Sequence, residues 1–205
     1  VGGGYIPVGP ATLEELATIV KSSDVTVERY ADDRNFVVRR TDLGASSAER
    51  MGAAMMALPA SGNWQVVSVI KSPRRNRYNY TRHGIAVRNS ATDRWVTEVY
   101  GQQSNDPRIE CFELGSTNVI QGGLGTTAFC DYIEFITFRI RLQGGNYTFS
   151  YSHDFGTTWN NIYTVAEANI PTGGRPDQVG IVNQTYNTFT LPNDTASPFF
   201  ELTTL

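Results

Sequence analysis

The segment ITFRIRLQGGNYTFSYS, from Ile136 to Ser152, carries the clearest secondary-structure pattern of the sequence. Apolar and polar residues alternate on both sides of Gly144-Gly145-Asn146, as they do in strands with one buried face and one wet face. The glycines tolerate the positive φ angles of a tight hairpin turn. We therefore predict a β-hairpin here. Its wet face carries Arg139, Arg141, Thr148, Ser150 and Ser152.

Short β-rich runs surround this hairpin at intervals of about ten residues. They are Val25–Val27, Phe36–Arg39, Trp64–Ile70, Gly84–Arg88, Arg94–Tyr100, Arg108–Leu114, Val179–Val182 and Pro198–Leu205. Met51–Leu58 is apolar and small, and it fits either a strand or a helix. Many short strands separated by turn residues indicate a β-sandwich or a β-barrel, and no long internal repeat points to a propeller or a solenoid.

The N-terminal 33 residues differ from the rest of the chain. Residues 1–10, VGGGYIPVGP, have the composition of a glycine-rich linker, and a start at Val1 instead of Met indicates a processed product or a fragment. Thr12 and Glu15 match a capping box, which predicts a short helix that ends near Ser22-Ser23. The apolar stripe of this helix would consist of Leu13, Leu16, Ala17 and Val20.

Such a stripe is too small to hold a helix together alone. We therefore expect residues 1–33 to form a linker and an anchor or docking segment. The helix would pack on the domain formed by residues 34–205, or on a neighbouring chain, and residues 1–10 would lead to a preceding anchor.

Composition and charge exclude several classes of protein. The chain has 205 residues, of which 40% are hydrophobic and 11% aromatic, so it can bury a core. No apolar run approaches the roughly 18 residues of a membrane span, and we expect no membrane partner. The formal net charge of −3 argues against a general nucleic-acid binder.

The charge is unevenly distributed along the chain. Residues 50–92 contain seven basic residues and no acidic one, so the remaining ten basic and twenty acidic residues carry −10. Lys71–His83, KSPRRNRYNYTRH, joins two predicted strands and mixes guanidinium groups with aromatic rings. This basic loop is the strongest candidate for a contact surface.

Arginine forks bind carboxylate or sulfate groups, and tyrosine rings stack beneath sugars. The predicted ligand-binding residues are Arg74, Arg75, Arg77, Tyr78, Tyr80, Arg82, Arg88, Arg139 and Arg141. The last three contribute if the sheet presents them on the same side as the loop. The alternatives are single-stranded nucleic acid, a solvated loop without a ligand, and a contact between subunits.

No metal or cofactor site is indicated, and we expect none. Cys111 and Cys130 match no zinc motif, and they are expected to be buried thiols or a disulfide pair. Asp32-Asp33 lacks the alternating ligands of a dedicated calcium loop and is expected to be a turn.

No catalytic centre is indicated by the two histidines, His83 and His153. Ser152, His153 and Asp154 are neighbours in a strand. Their side chains diverge, so they cannot form a hydrogen-bonded triad. His153 is therefore expected to be an ordinary hairpin residue.

The segment from Ser152 to Trp159, SHDFGTTW, matches the Asp-box pattern Ser-x-Asp-x-Gly-x-Thr-Trp. Sialidases carry one such box per propeller blade. The resemblance implies that Asp154 accepts hydrogen bonds from turn amides, that Gly156 adopts an unusual φ and that Trp159 plugs the base. This chain has one box and is too short for that propeller, so the box implies a structural turn and not a sialidase.

A wider pattern surrounds the box: a strand with exposed arginine, a glycine turn, an aromatic strand, the box, a strand, Val-Gly-Ile and a final Phe-rich strand. It resembles the concanavalin A-like, laminin-G-like jelly-roll domains over roughly residues 34–205. The resemblance implies an all-β fold, a two-sheet antiparallel jelly-roll sandwich. Members of this group are lectin-like sugar-binding modules, adhesion domains and glycoside hydrolases.

The hydrolases of this group carry a Glu-x-Asp-x-Glu triplet that flanks one glycosidic bond. This sequence has no such triplet. Glu110 and Glu113 are three residues apart and should point to opposite faces of a strand, and Glu98 is alone on its strand. The absence predicts that the chain is not an enzyme.

The layout of linker, helix and β domain also resembles the fibre and decoration proteins of bacteriophages. We therefore expect a non-enzymatic recognition or adhesion module of a larger assembly, such as a phage fibre, that binds glycan. Its partners would be a glycan or cell-surface polysaccharide and other subunits, as in a homo-oligomer, at an extracellular or virion surface. The alternatives are a structural subunit-contact module without a ligand and a secreted glycoside hydrolase.

Overall fold

A computed structural model describes residues 18–20, 25–29, 36–40, 50–71, 81–103, 106–115, 120–127, 134–185 and 193–205. In chain order the strands are β1 (Thr18–Val20), β2 (Val25–Arg29), β3 (Phe36–Arg40), β4 (Arg50–Ala57), β5 (Trp64–Lys71), β6 (Thr81–Asn89), β7 (Arg94–Gln103), β8 (Asp106–Leu114), β9 (Ile120–Thr127), β10 (Phe135–Gln143), β11 (Asn146–Ser152), β12 (Asn160–Ala166), β13 (Gln178–Thr185) and β14 (Asn193–Thr204). One short 3-10 turn spans Glu167–Asn169. In this part of the chain no helix is long and apolar enough to cross a membrane.

The strands form two antiparallel sheets that pack face to face. Sheet A has the order β1-β4-β13-β6-β7-β8-β9, and sheet B has the order β12-β11-β10-β5-β14-β3-β2. The predicted all-β antiparallel sandwich is therefore confirmed. The apolar stretch that fitted either a strand or a helix is strand β4.

The predicted N-terminal helix differs from the structure where the two can be compared. Residues 18–20, which the stripe pattern placed inside the helix, form β1 and pair with β4, Thr18 lying opposite Met55. Threonine, isoleucine and valine are β-branched and favour strands, and sheet A offers an edge for them to pair with. Residues 12–17 lie outside the described residues.

The predicted hairpin formed by β10 and β11 is confirmed, but its turn is one residue shorter than predicted, because Asn146 belongs to β11. Gln143 pairs with Asn146, so the loop contains only Gly144 and Gly145. Their φ angles are 57° and 73°, which is the geometry of a two-residue turn that matches the twist of the strands.

A large apolar core lies between the two sheets. Trp64 and Tyr147, both on sheet B, pack edge to face with ring centres 5.8 Å apart. The core also receives the alternating residues of β10 and β6, including Phe138, Ile140 and Ile85. This is the face that the period-two pattern assigned to the interior.

The outer faces of the two sheets differ in exposure. On the outer face of sheet A, a second apolar cluster is almost completely buried: Met51, Ala53, Met55, Ala86, Trp95, Val99, Phe112, Leu114 and Val182. On the outer face of sheet B, Arg139, Arg141 and Thr148 are partly exposed and Lys71 is exposed. Ser150 and Ser152, which were predicted on the wet face, are fully buried there, so that part of the prediction is wrong. Among the described residues, sheet B therefore presents the accessible sheet surface.

Candidate ligand-binding surface on sheet B

Two arginines project from neighbouring outward positions of β10. Arg139 pairs with Ser150 of β11 and Val67 of β5, and Arg141 pairs with Thr148 and Gln65 in the same way. Two residues of a strand span about 7 Å, and alternate residues point to the same face. The strand pairing therefore places both side chains on the outer face of sheet B, at neighbouring outward positions.

Arg139 is held against an aromatic ring. Its guanidinium carbon lies 4.1 Å from the ring centre of Trp159, within the range of a cation–π contact. Its Nη2 donates a hydrogen bond of 3.4 Å to the hydroxyl of Ser150. Ser150 is fully buried beneath this pair, although it points to the outer face.

The turn from β11 to β12 fixes the position of Trp159. The Ser152 hydroxyl accepts hydrogen bonds from the amides of Asp154 and Gly156, at 3.2 and 2.8 Å, and donates to the Asp154 carboxylate. That carboxylate also accepts from the amide and the hydroxyl of Thr158. These hydrogen bonds, first those from Ser152 and Thr158, lower the pKa of Asp154 to about 2.

Gly156 completes this turn. Its φ is 88°, and a Cβ at this position would lie 3.0 Å from the ring of Trp159. The hydrogen bonds expected of Asp154, the unusual φ of Gly156 and the packing of Trp159 are all present. The turn thus presents Trp159 rigidly to Arg139.

An aromatic patch lies toward the other end of β10 on the same face. The rings of Phe135 and Phe155 are 6.5 Å apart, and the Lys71 amine lies 5.6 Å from the ring centre of Phe135. Phe155 is 55% exposed, and its backbone is left-handed with a φ of 55°. Four residues of strand separate Phe135 from Arg139, a span of about 13 Å.

The ionised carboxylate nearest to this surface in the described residues is that of Asp154, which is bound to Ser152 and Thr158 and forms no ion pair with the arginines. Neither Arg139 nor Arg141 has an ion-pair partner among the described residues. Partial burial, and then the charge of Arg141, lower the pKa of Arg139. Glu201 lies two strands away from Arg139 across Val67, or about 10 Å. We call the set Lys71, Phe135, Arg139, Arg141, Phe155 and Trp159 the sheet B surface.

A buried carboxyl group lies between the sheets near Arg139. Glu98 is fully buried. Burial raises its pKa well above the usual value, against smaller opposite effects of the Ser150 amide and the Arg139 charge. Glu98 in turn raises the pKa of Arg139, against the larger opposite effects of burial and of Arg141.

Cys111 lies directly opposite Glu98 on the neighbouring strand. It is a free thiol and is fully buried. Burial, and then Glu98, raise its pKa well above the usual value, so it behaves as an apolar core residue. Cys130 lies outside the described residues.

The placement of Arg82 and Arg88 differs from the sequence-based expectation. Arg82 belongs to β6 and not to a loop, and its side chain is only 5% exposed. It pairs with Glu110 at 3.0 Å and lies over the ring of Phe112. Arg82 is therefore a buried strand residue, and its side chain is not accessible to a ligand as the basic-loop prediction requires.

Arg88 also lies on the outer face of sheet A. It pairs with Asp93 at 2.9 Å, donates to Gln178 and lies over the ring of Trp95, with 14% of its side chain exposed. Arg82 and Arg88 therefore lie on the opposite side of the sandwich from Arg139 and Arg141. Glu110 and Asp93 pair with their guanidinium groups. A charge that is largely buried is costly unless it has such a partner.

The structure describes the two ends of the predicted basic loop but not residues 72–80 between them. Arg74, Arg75, Arg77, Tyr78 and Tyr80 lie outside the described residues, so their role stays a prediction. The chain leaves β5 at Lys71, beside Phe135, and enters β6 at Thr81.

Both histidines are placed by the structure, and neither joins a triad. His83 is buried between the sheets, with its Nδ1 2.7 Å from the Thr195 hydroxyl, and burial lowers its pKa to about 3. His153 is exposed in the turn and packs against Tyr151. The Ser152 hydroxyl donates its hydrogen bond to the Asp154 carboxylate and not to His153.

Four members of the sheet B surface are not among the predicted ligand-binding residues: Lys71, Phe135, Phe155 and Trp159. Trp159 was expected only to plug its turn, and Phe135 and Phe155 were not selected. One signal was present for Phe135, since it shares the odd-numbered alternation of Arg139 and Arg141 along β10. Phe155 could be recognised only from the geometry of the turn.

The glutamates of sheet A do not form a catalytic pair in the described residues. Glu110 pairs with Arg82 on the outer face, and Glu113 pairs with Arg94 from the other face of β8, as expected from their spacing. No three histidine, cysteine, aspartate or glutamate side chains cluster as a metal site in the described ranges.

No protein-family model matches this sequence, and no curated protein matches it. Solved structures do match over most of the chain. A functionally unknown protein from Saccharomyces cerevisiae is 13% identical with a TM-score of 0.61, and the match covers 93% of this chain and 98% of that one. A GH43 glycoside hydrolase with endo-xylanase and exo-arabinofuranosidase activity is 16% identical with a TM-score of 0.60, over 89% of this chain but 36% of the enzyme.

Two further similar structures come from other contexts. The CBM2 module of the evolved Dit of Lactobacillus casei BL23 phage J-1 is 12% identical with a TM-score of 0.55, over 88% of this chain and 80% of that one. The VIP36 exoplasmic/lumenal domain, in its Ca2+-bound form, is 11% identical with a TM-score of 0.54, over 89% and 83%. At these identities the likeness shows the fold alone.

Proposed function

We propose that this chain is a non-enzymatic recognition module that binds glycan through the sheet B surface. The observation that carries the proposal is the pair Arg139 and Trp159, fixed by a hydrogen-bonded turn beside a second unpaired arginine. Partly exposed aromatic rings next to fixed polar groups are the usual elements of a sugar site. Phe155 supplies such a ring at the other end of the surface.

The other sheet face supports this choice by exclusion. Nine apolar side chains on the outer face of sheet A are buried, and Arg82 and Arg88 there are ion-paired. Ligand binding at that face would have to break these contacts. The predicted basic loop begins after Lys71, at the end of the sheet B surface, so we propose that it extends the same site.

The non-enzymatic part of the proposal rests on the carboxylates. Hydrolysis of a glycosidic bond requires two carboxyl groups that flank the bond. In the described residues, Glu110 and Glu113 are ion-paired on opposite faces, and Glu98 is buried. The similar GH43 enzyme matches over about a third of its length, so the likeness carries no activity to this chain.

We further propose that the module is a subunit of a larger assembly, such as a homo-oligomeric phage fibre, at an extracellular or virion surface. The support is the fold shared with a phage Dit module and the linker-like composition of residues 1–10. A mass measurement of the native chain tests this part. Oligomers are expected, and a monomer at every accessible concentration contradicts it.

A glycan array tests the binding proposal. Wild-type protein should bind at least one polysaccharide class and release no reducing sugar from it. Phe155→Asn should weaken binding, because asparagine accepts the left-handed backbone but removes the ring. Leu205→Asn is the matched control, since Leu205 is equally exposed, at 52%, near the opposite end of sheet B. Absence of glycan binding, or equal loss in both variants, contradicts the proposal.

A further inference from the structure

We infer that the glycan bound by the sheet B surface is acidic, and that Arg139 and Arg141 together bind its carboxylate or sulfate group. This inference rests on the proposed function and names the ligand class of the same site. The Cα atoms of Arg139 and Arg141 lie about 7 Å apart, and both side chains leave the same face of β10, so their long side chains can reach one anionic group.

The first argument is electrostatic. Arg139 and Arg141 repel each other, and no described carboxylate neutralises either of them. Glu98 lies on the core side of the sheet, Glu201 lies two strands away, and Asp154 is bound to Ser152 and Thr158, so none of the three forms an ion pair with the arginines. An anion that contacts both arginines removes this repulsion, whereas a neutral sugar leaves it in place.

The second argument is geometric preorganisation. The contact with Trp159 and the hydrogen bond to Ser150 restrict the Arg139 guanidinium before any ligand arrives. Planar guanidinium forks match carboxylate and sulfate groups, and little side-chain freedom is lost on binding when the fork is already held. The hydrogen bonds around Asp154 fix the turn that carries Trp159.

The third argument favours a sugar over a nucleic acid. A phosphodiester chain needs a row of basic groups along its length, because each phosphate carries a charge. The described sheet B surface offers Lys71, Arg139 and Arg141 in a chain with a net charge of −3. An acidic saccharide needs one anionic contact at the arginine pair, while Phe155 contacts the apolar face of another ring.

The experiment compares matched ligands by calorimetry. The acidic probes are a galacturonic acid oligosaccharide and a heparin oligosaccharide. Their neutral counterparts are the carboxyl-reduced and the desulfated, carboxyl-reduced forms. An oligothymidylate is the nucleic-acid probe. Wild-type protein should bind one acidic probe at least about tenfold more tightly than its neutral counterpart, the change expected for one charged hydrogen bond. Because heparin carries both groups, its desulfated form, which keeps the carboxylates, then distinguishes carboxylate from sulfate.

The double variant Arg139→Gln/Arg141→Gln should lose this preference. Arg94→Gln is the matched control, because Arg94 is also partly exposed but lies on sheet A, paired with Glu113. Should the double variant fail to fold, Arg141→Gln alone serves, since Arg141 has no hydrogen-bond or ion-pair partner in the described residues.

The outcomes separate the two proposals. Equal affinity for acidic and neutral probes, unchanged in the double variant, overturns this inference and leaves glycan binding standing. Tighter binding of oligothymidylate than of either acidic sugar also overturns it. Failure to bind any glycan, on the array or in solution, overturns the proposed function itself.

Discussion

The guanidinium carbon of Arg139 lies 4.1 Å from the ring centre of Trp159, although the two residues are twenty positions apart in the chain. Two structural facts bring them together. The register of β10 and β11 places Arg139 opposite Ser150, and the turn that follows Ser152 returns Trp159 to the same face. This pair is the centre of the sheet B surface, and the first prediction concerns it directly.

Arg139→Lys should weaken binding of an acidic glycan by about tenfold while preserving the charge. Lysine lacks the planar fork that binds a carboxylate at two points, and its amine stacks less well on an indole. Isothermal titration calorimetry measures the change. Arg94→Lys is the control, and unchanged affinity in Arg139→Lys means that only the charge matters.

Gly156→Ala should lower both stability and ligand affinity. Alanine is strained at a φ of 88°, and its Cβ meets Trp159 at 3.0 Å. Gly144→Ala is the matched control, since its φ is also positive, at 57°, but the added Cβ has open space. We expect both variants to lose about 1 kcal/mol of unfolding free energy from backbone strain. Only Gly156→Ala should lose further stability and binding.

His83 should make the protein less stable in acid. The folded pKa of about 3 lies below the ordinary 6.5, so the unfolded chain takes up the proton first. The stabilising contribution of neutral His83 is complete above pH 6.5 and is lost as the pH falls toward 3. The limiting slope is about 1.4 kcal/mol per pH unit. Denaturant unfolding of wild type and His83→Asn between pH 4 and 7 tests it, because asparagine cannot be protonated there. Parallel curves contradict the assignment.

Glu98 should act in the opposite direction. Because its pKa is raised in the folded state, the folded chain holds the proton that the unfolded chain releases above about pH 4.5. Stability is therefore lost as the pH rises. Glu98→Gln, which mimics the neutral carboxyl group, should gain stability relative to wild type with increasing pH, measured by the same unfolding series. A variant that becomes relatively less stable at higher pH shows instead that Glu98 is ionised and paired.

Cys111 should resist thiol reagents in the native protein. It is buried, and its pKa is raised by burial and by Glu98. In a Cys130→Ser background, a disulfide reagent should label the chain only after denaturant is added. Rapid labelling of the native variant means that solvent reaches the space between the sheets.

Much of the fold could be predicted from local pattern. The β10–β11 hairpin follows from strict alternation and two turn glycines, and every predicted inward residue of β10 lies in the core. Strand β1 was missed because Ile19 and Val20 also fit a helical stripe behind a capping box. Residues 18–20 form a strand because they pair with β4. The local sequence does not show that such a distant partner is present.

The candidate site was less predictable because it depends on which sheet face is covered. Arg82 and Arg88 look like solvent-exposed arginines in the sequence, but sheet A buries apolar residues on both faces, and the two arginines pair within it. Arg139 and Arg141 kept their predicted outward position because the outer face of sheet B is only partly covered by the described residues. Trp159 joined them only through the turn geometry around Asp154.

The most direct test is nuclear magnetic resonance with the acidic oligosaccharide that binds most tightly. The three indole signals serve as internal probes, because Trp64 lies in the core, Trp95 lies on sheet A and Trp159 lies on the sheet B surface. Titration should shift the Trp159 indole and the side-chain Nε signals of Arg139 and Arg141, while Trp64 and Trp95 stay unchanged. Shifts at Trp95 and Arg88, with none at Trp159, would place the ligand on sheet A and contradict the account.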